Sequence, residues 1–240
     1  MADGAAIAAA GMHGDIQRLD IISQNLSNVL TPGYKRILTV TTGFSEFMAT
    51  GSAATPGPAS AILASGIDFR PAPSRHTGNP LDLAIEGDGF FELQDAGGAM
   101  YTRQGSLSLD AGGRLVAPGG AAVAGVAGEI RLESDKVRID RAGRIFDRDA
   151  MLGQIRLVRF DDPQKLVPAG QGRYAQGAAR LEPDADATTV RQGHVEASNV
   201  VPAEEMVRLI ETMRHFEGGQ KVIQWHDDML EQALSRLGQY

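Results

Sequence analysis

Residues Pro202 to Leu237 read PAEEMVRLIETMRHFEGGQKVIQWHDDMLEQALSRL. With Met206 at position a of a heptad, Leu209, Phe216, Ile223, Leu230 and Leu237 all fall at d. Met206, Met213 and Leu234 fall at a, where Gln220 and Asp227 interrupt the line. An apolar period of 3.5 residues held this long predicts one long helix packed lengthwise on another. At ~1.5 Å per residue it spans on the order of 50 Å. Asn199 is placed to cap its start, Pro202 suits a first turn, and Glu204 and Glu205 complement the positive helix end. A second apolar line, Val222, Trp225 and Met229, stands off this seam. It follows Gly218 and Gly219, which read at f and g and together cost about 2 kcal/mol against alanine inside a helix. These five residues predict a contact with another subunit.

The partner for the first seam is expected at the other end of the chain. Ala5, Met12, Leu19 and Leu26 lie seven apart, and Ala9, Ile16, Ser23 and Leu30 form a second line beside them. Asp15, Arg18 and Asp20 are expected to project away. Gly4, Gly11 and Gly14 each cost roughly 1 kcal/mol in a helix, so this segment depends on packing. The predicted helix-pairing seam is therefore Met12, Ile16, Leu19 and Leu26 against Met206, Leu209, Met213, Phe216, Ile223, Leu230, Leu234 and Leu237. The fold class that follows is α+β: N- and C-terminal helices paired as a coiled coil, with an antiparallel β domain between them.

The middle of the chain supplies that domain. Leu81, Leu83 and Ile85 alternate with polar or small residues, and short apolar runs follow at Phe90-Phe91, Leu115-Val116 and Ile155 to Phe160. Turn signals punctuate them: Gly97-Gly98, Gly112-Gly113, Ala142-Gly143 and Asp161-Asp162-Pro163. Gly87-Asp88-Gly89 lacks the third glycine and following helix of a dinucleotide fingerprint and reads as a hairpin turn. The expected divisions are residues 1–36 for the first helix, 37–75 for an extended linker region, 76–178 for the β domain, 179–198 for a return linker and 199–240 for the last helix. Within the linker, TGSAATPGPAS at 50–60 has the composition of a flexible loop.

Composition narrows the function classes. The chain has 240 residues and a formal net charge of −7, which argues against nucleic acid as a partner. Cysteine is absent, which excludes disulfide and thiolate chemistry. No run of apolar residues is long enough to span a membrane. The N-terminal stretch MADGAAIAAAGMHGD carries no Lys or Arg and is not a secretory signal peptide of the usual kind. The five histidines are scattered, and no Walker loop, G-x-S-x-G or EF-hand loop occurs. No catalytic, cofactor-binding or metal-ligating residue is expected.

Two further runs carry a resemblance. QNLSNVLTPGYKR, with Asn25, Leu26, Ser27, Asn28, Thr31, Pro32, Gly33 and Tyr34, resembles the N-terminal signature of the flagellar rod and hook family. QGHVEASNVVPAEEM, with Gln192, Gly193, Glu196, Ser198, Asn199 and Val200, is similar to that family's second signature, and TGNPLDLAIEGDGFF to its β domain. The resemblance implies a structural subunit of the bacterial basal-body rod, not an enzyme. It would self-assemble through its terminal helices into the tubular drive shaft for flagellar motility. The length, a single β domain and TGNPLD point to a proximal rod member, with the distal rod protein as alternative. Partners would be the chain itself, neighbouring rod proteins and the flagellar type III export apparatus. Its place would be the periplasmic rod, reached without a cleaved signal peptide. A different class, a secreted β-rich adhesin trimerised by a terminal coiled coil, expects one seam per helix and no use for the N-terminal helix. A glycosidase on a β scaffold would need two opposed carboxylates in a cleft.

Overall fold

A computed structural model describes residues 2–41, 63–95, 97–148, 150–182 and 188–237. The chain forms two compact units: Met1–Ser27, Ile37–Gly66 and Val201–Tyr240 make one, Asn28–Arg36 and Ile67–Val200 the other. The class is α+β, with a helix at each end and an antiparallel β domain between. The loop-like run at 50–60 lies outside the described residues. No helix among the described residues is long and apolar enough to cross a membrane.

The helical unit holds α1 (Ala2–Ser27) and α2 (Pro202–Leu237). Strand Ile37–Thr41 follows α1 and packs on it. Pro202 takes the first helical position, as its fixed φ favours. Asn199 does not cap α2. It lies in the other unit, where its side chain accepts from the Arg36 N–H at 2.7 Å and donates to the Asp68 carbonyl at 2.7 Å.

The β unit is built around strand Gly89–Asp95, which pairs antiparallel with Gly98–Thr102, Ala122–Gly125 and Leu157–Phe160. Successive strand residues face opposite sides, so Phe90 and Phe91 seed different cores. Phe91 and Leu93 join Leu83, Leu115, Val123, Ile145 and Ile155 in the larger one. Phe90 meets Phe160 edge-on at 5.7 Å between centroids, within a smaller aromatic core with Tyr101 and Tyr174. Gly87-Asp88-Gly89 is not a hairpin turn. The strand before it, Leu83–Glu86, pairs with Thr189–Gln192, while Gly89–Asp95 belongs to the large sheet, so the chain passes between sheets there.

The described residues of the stretch expected as a return linker include three strands. Leu181–Glu182 pairs with Leu157–Phe160, Thr189–Gln192 with Leu83–Glu86, and His194–Glu196 with Ser74–His76. Residues 28–36, read as the end of the helical core, group with the β unit. The reason is a set of polar contacts described next.

Candidate assembly interface

The two helices lie antiparallel. Asn25 reaches Glu205 at 3.4 Å, Asp15 reaches His215 at 2.5 Å, and Met12 covers Gly219. The inner face of α2 runs through Glu205, Leu209, Thr212, Phe216, Gly219 and Ile223, which are buried or half-buried. In heptad terms these are d and g, not a and d. Met206 and Met213, expected in the seam, are 56% and 49% exposed. On α1, Met12, Leu19 and Leu26 are half-buried, Ile16 is 45% exposed, and Ile22 and Asp15 are buried. Leu230, Leu234 and Leu237 lie on the helix, with side chains outside the described residues.

Polar side chains with partners account for the shift of face. Asp15, expected to project away, accepts from Arg18 at 3.1 Å as well as facing His215. Asn25 of the NLSN run grips the backbone of Ile37 twice, donating to its carbonyl and accepting from its N–H, both at 2.9 Å. Glu205 takes Arg208 at 3.3 Å. Each buried polar group is thereby satisfied, the condition for burying it at all.

The two adjacent glycines have different surroundings. A Cβ on Gly219 would sit 2.8 Å from Cγ of Met12, so this position is on the helix contact, not off it as the heptad implied. A Cβ on Gly218 would meet nothing within 4 Å. Beyond Gly218 the line Val222, Trp225 and Met229 is 51%, 75% and 61% exposed. Met206, Ile210 and Met213 form a second exposed apolar line, in the N-terminal half of α2. By the 3.6-residue period each line lies roughly 120° from the buried face, on opposite sides.

The signature motifs meet in the β unit around one carboxylate. Glu196 Oε1 accepts from Lys35 Nζ at 2.7 Å and from the Ala72 N–H at 2.9 Å, and Oε2 accepts from Arg103 Nη1 at 3.3 Å. All three charged side chains are at most 2% exposed. Lys35 also donates to the Arg70 carbonyl at 2.8 Å, and Arg103 to the Gly87 carbonyl at 2.8 Å. Burial pushes Lys35 and Arg103 below their ordinary values, against the opposing pull of Glu196. The Gly33 N–H donates to the Glu196 carbonyl at 2.8 Å. Gly33 has φ +69°, and a Cβ there would lie 2.5 Å from the Arg103 backbone, so both conformation and space require glycine.

The remaining motif residues tie this junction together. Gln192 donates to the carbonyls of Pro80 and Val137 at 2.8 and 2.7 Å and accepts from the Ile139 N–H at 3.0 Å. The Gly193 N–H donates to Asp82, Ser198 accepts from the Val200 N–H, and Val200 and Tyr34 are buried. Thr31 bonds Asn28 through side chain and backbone. Pro32 is half-buried, and Ser27 is exposed at the end of α1. Sequence reasoning passed over Lys35 and Arg103 as site residues. The available signal was weak: a Lys-Arg pair directly before the apolar Ile37-Leu38, and an arginine two residues from the core Tyr101.

Comparison with known proteins adds to this geometry. Residues 191–236 match the family model described as flagellar basal body rod FlgEFG protein C-terminal, and residues 84–146 match that of the flagellar hook protein FlgE/F/G D1 domain. The flagellar basal-body rod protein FlgF of Caulobacter vibrioides is 31% identical over 92% of each chain. The flagellar basal-body rod protein FlgG of Buchnera aphidicola subsp. Acyrthosiphon pisum is 34% identical over 96% of this chain and 98% of its own. The FlgF protein of Mesorhizobium japonicum is 30% identical over 99% of both.

Proposed function

The chain belongs to the flagellar basal-body rod protein family, and from that premise we propose that it is a structural, non-catalytic rod subunit that self-assembles through its terminal helices. Its neighbours are copies of itself and other rod proteins, and the assembled tube serves as the drive shaft for motility. It reaches the periplasmic rod through the flagellar export apparatus. Within the rod it takes a proximal, FlgF-type position. A distal position is the second reading, favoured by its likeness to FlgG proteins of comparable identity and coverage.

The observation that carries this reading is the surface of α2. One face is turned to α1, and two exposed apolar lines occupy two other faces at different heights. A helix with three such faces suits a packed wall better than a free monomer. The adhesin alternative expects no role for the N-terminal helix, whereas α1 and α2 pack along each other. In this reading the chain's two terminal helices pair with each other as a coiled coil. Gly218, Val222, Trp225 and Met229 form one intersubunit contact, and Gly219 lets α1 approach from the other side.

Trp225 is the only tryptophan in the chain, so its fluorescence reports directly on that contact. Assembly, followed by sedimentation, is expected to shift its emission to the blue and protect it from acrylamide. Polymer that forms with Trp225 emission unchanged would show that assembly uses another surface.

A further inference from the structure

Two of the scattered histidines are brought together in the β unit. His76 ends strand Ser74–His76, His194 begins strand His194–Glu196, and the two are directly opposed in antiparallel register. Their ring centroids are 4.8 Å apart with planes inclined at 60°. Nδ1 of His194 lies 2.9 Å from the Gln192 carbonyl oxygen. A carbonyl can only accept, so in the neutral ring the proton sits on Nδ1 and the lone pair is left on Nε2. This is the arrangement by which a metal-ligating histidine has its other nitrogen anchored to backbone. The supporting backbone is closely tied: the N–H groups of Thr77 and Gly78 both donate to the Gly193 carbonyl, at 2.8 and 3.2 Å.

The spacing suits a bound ion. A metal about 2.0–2.1 Å from one nitrogen of each imidazole lies roughly 3.2 Å from each ring centroid. Adjacent ligands at angles of about 90–110° then place the centroids roughly 4.5–5.3 Å apart. The observed 4.8 Å falls inside that range. Among the described residues no third His, Asp or Glu joins the pair in a cluster able to hold a metal. The remaining coordination positions are therefore left to water or to a group from a neighbouring molecule. Hard, oxygen-seeking cations such as Mg2+ are poorly served by two imidazoles, whereas late first-row ions are well served.

We propose that His76 and His194 form a binding site for a divalent late transition-metal ion, with Zn2+ as the probe that tests it. The bound ion links the two strands that flank the Glu196 junction. Because it binds the folded pairing and has no preformed site in the unfolded chain, it raises thermal stability.

The test is a calorimetric titration of the full chain with Zn2+ in a non-chelating buffer at pH 7.5, with Mg2+ as control. One saturable Zn2+ equivalent is expected, and none for Mg2+. His76→Ala and His194→Ala are each expected to weaken binding by at least about tenfold. The double variant H13A/H226A is expected to bind as the parent does. His76 is exposed, so its variant keeps the fold, checked by circular dichroism, even if the His194 variant does not. Histidine ring proton resonances give a second readout, with His76 and His194 shifting first. Parent protein that shows no saturable binding would overturn the site. So would binding undiminished in His76→Ala, which would place the ion elsewhere.

Discussion

Glu196 compensates two buried cations, and its backbone carbonyl receives Gly33 as well. A carboxylate in that position is far harder to lose than a surface partner, because each cation left behind has no water to return to. Glu196→Gln is expected to destabilise the β unit by about 3–5 kcal/mol, read as a lowered urea midpoint. Lys35→Met is expected to cost clearly less, since Glu196 keeps Arg103 and the Ala72 N–H. A larger loss from Lys35→Met than from Glu196→Gln would mean that the hub is organised around the lysine instead. None of this was legible in the sequence. Lys35, Arg103 and Glu196 are distant in the chain, and nothing in composition or periodicity marks a charge as buried. Resemblance marked the two signature runs without showing that they meet.

At the scale of the element, the helices teach where periodicity succeeds. Leu209, Phe216 and Ile223 were legible because they are apolar and evenly spaced. Their neighbours Glu205 and Thr212 were not, because hydropathy assigns polar residues to solvent, and these are buried, Glu205 accepting from Asn25 and Thr212 donating to the Arg208 carbonyl of its own helix. The difference can be measured. Ile22→Asp is expected to unpair the helices, since Ile22 is 6% exposed, while Ile16→Asp at 45% exposed is expected to leave them paired. Far-UV circular dichroism followed through a urea titration separates the two. Gly218→Ala, with open space around it, is expected to raise helix stability by up to about 1 kcal/mol. Gly219→Ala gains less or nothing, because Met12 must give way. Equal gains at both positions would remove Met12 from the contact.

Two turns of the β unit share a pattern that the turn signals located without its mechanism. In DAGGR at 110–114 and DRAGR at 140–144 the aspartate accepts from the backbone N–H of the residue two on and of the arginine four on. Each arginine side chain then closes back on the same carboxylate, at 2.8 and 2.7 Å. Bonds from the backbone and side chain of Arg114 hold Asp110 below the usual carboxylate value of 3.8. At Asp140, burial pushes upward and the bonds from Arg144 outweigh it, so that carboxyl is also lowered. With the folded value depressed, the unfolded chain binds more protons in the window just below 3.8. The stabilisation is present above that value and is lost as pH falls through the folded one. D110N/D140N is expected to lower stability at pH 7, where the carboxylate bonds are fully present, and to flatten the acid limb of stability against pH below 4, as denaturant melts at a series of pH values would show. A parent-like slope would assign the acid sensitivity to other carboxyls.

For the whole molecule, the division into units cuts across the order of the chain. Residues 28–36 follow directly on α1 yet belong to the β unit. Hydrogen exchange is expected to show it: the amides of Gly33 and Arg36, bonded to Glu196 and Asn199, exchange with the slow β-unit class and not with α1. Exchange of Gly33 at the rate of the α1 amides would contradict the grouping. The same junction sets a temporal order on a chain that is made from its N-terminus. Lys35 and Arg103 emerge long before the carboxylate that makes their burial tolerable, and strand Thr189–Gln192 is equally late. Until residue 196 has appeared, the β unit carries two cations without the carboxylate that hydrogen-bonds both of them, and strand Leu83–Glu86 lacks its partner. Premature closure is therefore opposed by the late position of one acid in the sequence, and a nascent chain stays open until residue 196 has been made.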